Sequence, residues 1–289
     1  MISVLKKLNI SISETREGGN RPMISVLMSV YNRENPEYLD KALASIYHQS
    51  LQPNEVVLVE DGPINANLES IINKYPTLKR VRLPANLQLG RALQTGLCEC
   101  RYKYVARMDS DDIATPNRLE MQYEYLRNHP EISVVGGDIA EFVEEGKIIR
   151  IKHMPSTYGR LQQYGKLRNP LNHMTVMFKK DDILQIGGYE HFPLLEDYHL
   201  WSRLLTAGYK IANIPQVLVW ARIGENFADK RGGFKYFKQY KRLRYVQLKL
   251  GYTNIIEYTI GLLLSFVMTM QPSKMRNLTY GLLRNNIKE

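Results

Sequence analysis

Four short strand-like runs, Ile24–Val30, Val56–Val59, Lys79–Leu83 and Tyr104–Met108, alternate with three stretches of helical periodicity. The helical stretches are Pro36–Gln49, Leu68–Lys74 and Leu89–Cys98; in the first, Leu39, Leu43, Ile46 and Tyr47 fall on one face. This alternation narrows the fold more than any other feature. Strand–helix–strand units join parallel neighbours through right-handed crossovers, which predicts an α/β chain with a Rossmann-like, mainly parallel sheet flanked by helices. In such sheets ligands sit beyond the carboxyl ends of the strands. Those ends here carry Tyr31-Asn32-Arg33, Glu60-Asp61 and Asp109-Ser110-Asp111-Asp112, with Gly90-Arg91 opening a helix nearby.

Past about residue 130 the pattern becomes less regular. Ile132–Gly137 reads as a strand, Asp138–Glu144 and Lys147–Lys152 as a hairpin turning at Glu145-Gly146, and Met174–Phe178 as a further strand. Thr115-Pro116 has the form of a helix start, Thr as N-cap and Pro at the first position. Gly187-Gly188 reads as a helix stop, Asp197–Thr206 as a helix closed by Gly208, and Ile211–Trp220 as strand. The expected organisation is an N-terminal extension over 1–22, an α/β domain over 23–228 and a helical tail over 229–289. Met1–Pro22 lacks the apolar stretch of a signal peptide, and Met23 reads as an alternative start. The chain has two cysteines, Cys98 and Cys100, poorly placed to pair, so a reducing, cytosolic compartment is expected.

The net charge of +10 calls for an anionic partner. Its distribution says more than its size: Lys230 to Lys249 carries eight Lys or Arg and no acid. Tyr258–Met270 is apolar for thirteen residues, whereas a spanning helix needs about twenty. A basic, aromatic segment followed by a short apolar helix predicts binding in the plane of an anionic membrane. The other open reading is a helix packed on the core with its charges solvated. No zinc-finger spacing, helix-turn-helix or RNA-binding aromatic signature is evident, so nucleic acid is not the expected partner.

The sharpest chemical feature is Asp109-Ser110-Asp111-Asp112. Three carboxylates in four residues repel one another, and hard oxygen donors of this kind suit Mg²⁺ or Mn²⁺ beside a diphosphate. The alternative is an acidic loop in which Asp112 or Thr115 caps the next helix. On the same rim Asp61 is able to accept from the ring N–H of a pyrimidine. Tyr31 offers a stacking face, or is an ordinary turn aromatic.

Six segments together resemble the family 2 glycosyltransferases, inverting enzymes of GT-A (nucleotide-diphospho-sugar transferase) fold, and within them the bacterial O-antigen and capsular polysaccharide enzymes. They are ISVLMSVYNRE (Ile24–Glu34), EVVLVEDG (Glu55–Gly62), NLQLGRALQTGL (Asn86–Leu97), YVARMDSDDIATPNRLEMQ (Tyr104–Gln122), NPLNHMTVMFKK (Asn169–Lys180) and LEDYHLWSRLL (Leu195–Leu205). The resemblance covers roughly residues 23–225. It implies a UDP-sugar donor held by Tyr31, Asn32, Asp61, Arg91, Asp109 and Ser110, and Mn²⁺ or Mg²⁺ on Asp111 and Asp109. It also implies Asp197 as catalytic base with Glu196 in support, and a lipid-diphosphate-linked sugar or oligosaccharide acceptor at the cytoplasmic face. His173 would contact acceptor or diphosphate, or be a buried structural histidine. Asp197 has a rival role as helix N-cap, which would lower its pKa and weaken it as a base. Arg222 lies where many relatives carry a basic segment with a histidine, and no histidine is present in Ala221–Gly224. A sugar nucleotidyltransferase, which leaves Glu196-Asp197 without a task, and a catalytically silent nucleotide-binding module are the rival functions.

Overall fold

The computed structural model describes residues 23–224, 231–276 and 278–279; the expected extension over 1–22 lies outside them. The first half follows the sequence pattern closely. Strands β1 (Ile24–Val30), β2 (Glu55–Glu60), β3 (Lys79–Arg82) and β4 (Tyr104–Met108) run parallel in the order β3-β2-β1-β4. They are joined by α1 (Pro36–Tyr47), α2 (Ala66–Ile72) and α3 (Leu89–Glu99). Asn35 caps α1 by accepting from the Glu37 amide, with Pro36 at the first helical position, and Asn65 caps α2 in the same way. The sheet is covered on both faces. Val26 and Met28 of β1 pack toward α1 and α2, whereas Leu27, with Val57 and Val59 of β2, packs toward α3. Gly96 explains how close α3 lies to the sheet: a Cβ there would come within 2.5 Å of both Leu27 and Val59.

Beyond β4 the sheet becomes mixed. The remaining elements are β5 (Ile113–Ala114), α4 (Arg118–Asn128), β6 (Ile132–Phe142), β7 (Ile148–Lys152), α5 (Tyr158–Leu167), β8 (Met177–Lys179), α6 (Lys180–Gln185), α7 (Glu196–Thr206) and β9 (Lys210–Arg222). The described sheet has nine strands in the order β3-β2-β1-β4-β8-β6-β9-β5, with β7 folded back on β6. Strand β8 is antiparallel to both β4 and β6, while β9 lies parallel to β6.

Two local expectations change. The runs expected as a strand ending at Gly137 and a separate hairpin arm form one strand, β6, whose register against β9 shifts at Gly137 and Asp138. Side chains of β9 fill the space a Cβ would need: one at Gly136 would lie 2.6 Å from Asn213 Oδ1 and one at Gly137 2.5 Å from Leu218 Cδ1. The helix expected from Thr115-Pro116 begins instead at Arg118. The Thr115 hydroxyl donates to the Leu218 carbonyl at 3.0 Å, so it ties β5 to β9 and does not cap α4.

The C-terminal helices α8 (Gly233–Lys249) and α9 (Ile255–Met270) pack against each other and against α7 and α5. A reciprocal Asn254–Glu257 capping box opens α9. Its amphipathicity is the reverse of an ordinary surface helix. The buried positions are Gly261, Ser265 and Thr269, one every four residues. The exposed ones include Ile256 (68% exposed), Ile260, Leu263 (62%), Leu264 and Val267. Among the described residues no helix is long and apolar enough to cross a membrane.

Candidate active site

The carboxyl ends of β1, β2 and β4 open onto a cleft of about 820 Å³. Its wall includes Tyr31, Asp61, Asp109, Ser110 and Asp111, together with Glu34, Tyr38, Asn86, Gln88 and Arg222. Tyr31 follows β1 and is 45% exposed. Asp61 is buried at the end of β2, where one carboxylate oxygen accepts from the Leu87 amide at 2.6 Å. The residue that follows Leu87 is strained: Gln88, the N-cap of α3, has φ +71° and ψ 157°. That backbone region is essentially reserved for glycine.

Strand β4 delivers the acidic cluster. Asp109, Asp111 and Asp112 each place a carboxylate oxygen within 4.8 Å of the others. Burial, then the charges of Asp109 and Glu34, push the Asp111 carboxyl up to about 7. Burial raises Asp112 well above the usual carboxylate range. The loop is held in place by its neighbours. The Ser110 hydroxyl donates to Glu34 at 2.6 Å, Asp112 accepts from the Arg222 amide at 2.7 Å, and Arg222 Nε donates to the Asp111 carbonyl at 3.1 Å. Arg222 is itself sandwiched, its guanidinium carbon 3.8 Å from the Tyr38 ring centre and 4.5 Å from that of Phe142. A crowded set of hard oxygen donors, two of them (Asp111 and Asp112) with raised pKa values, is short of positive charge, so these residues fit a divalent ion.

The second acidic pair does not line this cleft. Glu196 and Asp197 open α7, and the first turn of α3 packs on them: a Cβ at Gly90 would come 3.2 Å from the Glu196 Cβ. Asp197 is not the N-cap; Leu195 holds that position, and no side chain caps the helix. The Asp197 carboxylate accepts from the Tyr198 amide at 2.7 Å and from Asn169 Nδ2 at 2.6 Å. Burial nevertheless outweighs these bonds and the Arg107 charge, and its pKa is raised. Burial and the neighbouring Asp197 charge push Glu196 up to about 7. The lowered pKa that a capping role would have imposed on Asp197 is therefore absent.

Arg107 connects the two acidic groups, and nothing in the sequence reading singled it out. It projects from β4 on the α3 side, is 2% exposed, and forms an ion pair with Asp109. Its Nε and Nη1 are buried with no hydrogen-bond partner. Its charge lowers the pKa of Asp111, Asp112, Glu196 and Asp197 alike. A signal was available, because an arginine inside the buried run YVARM must be paired or functional. Glu34 was also missed, as its role depends on reaching Ser110 across the rim.

The other expected residues are placed less centrally. Asn32 does not line the cleft; its carbonyl accepts from Asn65. Arg91 lies exposed on α3, away from the cleft wall. His173 is buried and shares a 2.8 Å hydrogen bond with the Tyr189 hydroxyl. Burial, then the Arg107 charge, holds His173 neutral with a pKa well below the ordinary histidine value.

Residues 25–184 match the model of "Glycosyl transferase family 2". The chain belongs to this family. It is 39% identical over 261 residues to the amylovoran biosynthesis glycosyltransferase AmsE of Erwinia amylovora, covering 89% of this chain and 98% of the relative. It is 35% identical over 263 residues to an Escherichia coli UDP-Gal:alpha-D-GlcNAc-diphosphoundecaprenol beta-1,3-galactosyltransferase, covering 90% and 95%. Among solved structures, S. aureus TarS in complex with UDP-GlcNAc aligns with a TM-score of 0.61 at 18% identity, over 86% of this chain and 72% of that one. The fold is GT-A, and the chain is a glycosyltransferase related to enzymes of bacterial polysaccharide biosynthesis.

Proposed function

We propose that this glycosyltransferase moves a hexose or N-acetylhexosamine from a UDP-sugar, with inversion, onto a lipid-diphosphate-linked sugar or oligosaccharide during surface-polysaccharide assembly. The observation that carries the reading is the pairing of two acidic groups about one buried cation. Asp109 and Asp111 face the cleft that holds Asp61 and Tyr31, with Asp112 buried behind them, and Glu196-Asp197 lies on the far side of Arg107. The UDP-Gal donor and diphosphoundecaprenol-linked acceptor in the name of the E. coli relative, and the UDP-GlcNAc bound by TarS, support a UDP donor and a diphospholipid acceptor.

In this reading Asp61 accepts from the uracil ring N–H, and Tyr31 stacks on the base. Asp111, with Asp109, would hold Mn²⁺ or Mg²⁺, which when bound supplies Lewis-acid neutralisation of the leaving diphosphate. Asp197 takes the proton from the acceptor hydroxyl as its oxygen bonds to the anomeric carbon. The carbon–oxygen bond to the diphosphate breaks, and its electron pair departs with UDP. A carboxylate whose pKa is raised by burial is a stronger base than an exposed one. Glu196 and Arg107 shape the field around that proton transfer.

The outward face of α9 and the cations of α8 support a peripheral position at an anionic cytoplasmic membrane surface, where a lipid-linked acceptor resides. The deciding experiment incubates the purified protein with Mn²⁺ and UDP-, GDP- and dTDP-sugars and measures released nucleoside diphosphate, alongside Asp111→Ala and Asp197→Asn. Metal-dependent release from a UDP-sugar that both variants lose is the expected result. Release that is indifferent to both substitutions would discard the site assignment. If no nucleotide raises Tm in the presence of Mn²⁺, the donor reading fails.

A further inference from the structure

The α8–α9 tail reaches the neighbourhood of Asp197 through one side chain. Arg244, on α8, is 2% exposed and inserts its guanidinium between α5, α7 and α9. Nη1 donates to the Lys166 carbonyl at 2.7 Å and Nη2 to the Leu167 carbonyl at 2.6 Å. These belong to the last turn of α5, whose carbonyls have no partner within the helix. Two residues on, Asn169 Nδ2 donates to Asp197 Oδ2 at 2.6 Å. The same Nη1 lies 3.0 Å from the Tyr198 hydroxyl, which in turn donates to the Gly165 carbonyl at 2.7 Å. The Tyr198 amide donates to the other Asp197 oxygen. Gly261 of α9 leaves the room this arrangement needs, since a Cβ there would sit 3.1 Å from the Arg244 Nε. Both donors to the Asp197 carboxylate therefore rest on segments that Arg244 pins.

We propose that Arg244 is a positioning residue for the transfer reaction, fixing the end of α5 and the ring of Tyr198 so that Asn169 and the Tyr198 amide grip Asp197. The inference rests on Asp197 being the base. It gives the appended helices a part in the chemistry as well as in location. An arginine is required because a planar fork meets two adjacent carbonyls at once, which a lysine cannot do. The other charged or titratable groups acting on Asp197 are Glu196 on its own helix, Arg107 on β4, Tyr189 and Arg231, and none of them changes in the variants below.

The test uses the full chain and reads the ionisation of Asp197 from pH-difference infrared spectra, with Asp197→Asn as the blank. Arg244→Lys and Tyr198→Phe are compared with Asn169→Ala and with the double variants, after each is shown to melt cooperatively. UDP binding with Mn²⁺ is measured in parallel and is expected to stay within about twofold, since no residue of the UDP cleft is touched. Asn169→Ala removes one hydrogen bond to a charged carboxylate and should raise the Asp197 pKa by about one pH unit, a tenfold change. Arg244→Lys should move it the same way, and in the Asn169→Ala background its added shift should be smaller than in the parent protein, because only the Tyr198 route remains. Additive shifts, or a folded Arg244→Lys or Tyr198→Phe with Asp197 unmoved, would overturn the inference. Failure of the base reading is distinguishable, because Asp197→Asn would then retain metal-dependent donor turnover.

Discussion

Replacing Gln88 by glycine should stabilise the protein while weakening its hold on UDP. Gln88 has φ +71° and ψ 157°, lines the cleft, and makes no capping hydrogen bond through its side chain. A non-glycine residue in that region stores about 1–3 kcal/mol of strain. Glycine removes the strain but adds back about 0.5–1 kcal/mol of chain entropy on folding. The net gain is therefore between about zero and about 2.5 kcal/mol, or a Tm rise of up to roughly 4 °C for a chain of this size. The strained residue adjoins Leu87, whose amide lies 2.6 Å from Asp61, the group proposed to read the base. A glycine at 88 lets that loop sample other conformations, so the UDP dissociation constant should rise several-fold, about 1 kcal/mol.

Differential scanning calorimetry and titration with UDP and Mn²⁺ measure the two effects on one preparation. Gln88→Ala is the control, because alanine keeps a Cβ and hence the strain while removing the amide. It should leave Tm within about 1 °C, since a surface truncation away from special features costs little. A fall in Tm for Gln88→Gly equal to that for Gln88→Ala would refute the reasoning, showing that the side chain and not the backbone matters at this position.

Four further outcomes follow from the same geometry. Glu196, buried and raised to about 7, favours its protonated form in the folded state, so stability is lost as pH rises from the unfolded value near 4.5 through 7. Glu196→Gln should thus be near neutral at pH 5 and stabilising at pH 8 by up to about 3 kcal/mol at 1.36 kcal/mol per pKa unit, read by urea melts at both pH values; equal effects at both would sink it. Arg107→Met leaves Asp109 unpaired beside the other carboxylates, and should cost about 3–5 kcal/mol of stability, recovered in part by Mn²⁺; no metal rescue would count against a cation site there. Asp111→Asn should remove the Mn²⁺-induced rise in Tm while raising the metal-free Tm, and a retained Mn²⁺ response would reassign the ligand. Leu263→Asp with Leu264→Asp should abolish co-sedimentation with anionic phosphatidylglycerol vesicles and leave donor hydrolysis intact, and unchanged sedimentation would remove the membrane face.

Much of the fold was legible because β1 to β4 and α1 to α3 signal themselves locally. Buried runs, Asn caps and a Pro at the first helical position all agree there. The second half was harder for physical reasons. Gly136-Gly137 resembles a break, yet the chain stays extended, because Asn213 and Leu218 of β9 occupy the space of the missing side chains. Thr115 resembles a cap, yet its hydroxyl goes to a carbonyl a hundred residues away in sequence. In the site, the aspartates were readable from position at strand ends. Glu34 was not, since its partner Ser110 is brought to it by the sheet order; Arg107 carried a signal, a charge inside a buried run, but its link to Glu196 and Asp197 exists only in the fold.

The helix α9 makes the same point in reverse. Its sequence reads as a run too short to cross a bilayer, which leaves its burial open. The fold decides which side faces out, and it turns Gly261, Ser265 and Thr269 inward against α8. Small residues in that stripe let the two backbones approach, and they make room for Arg244 to reach α5. The larger apolar side chains are thereby forced outward, where a soluble helix would carry charge. One packing choice therefore has two consequences. It creates an apolar face next to the basic helix α8, suited to an anionic lipid surface. It also places the cation that pins both donors of Asp197. Enlarging Gly261 to leucine should disturb both together, lowering vesicle binding and donor turnover in the same variant. A variant that lost one and kept the other would show that the two are not built on the same contact.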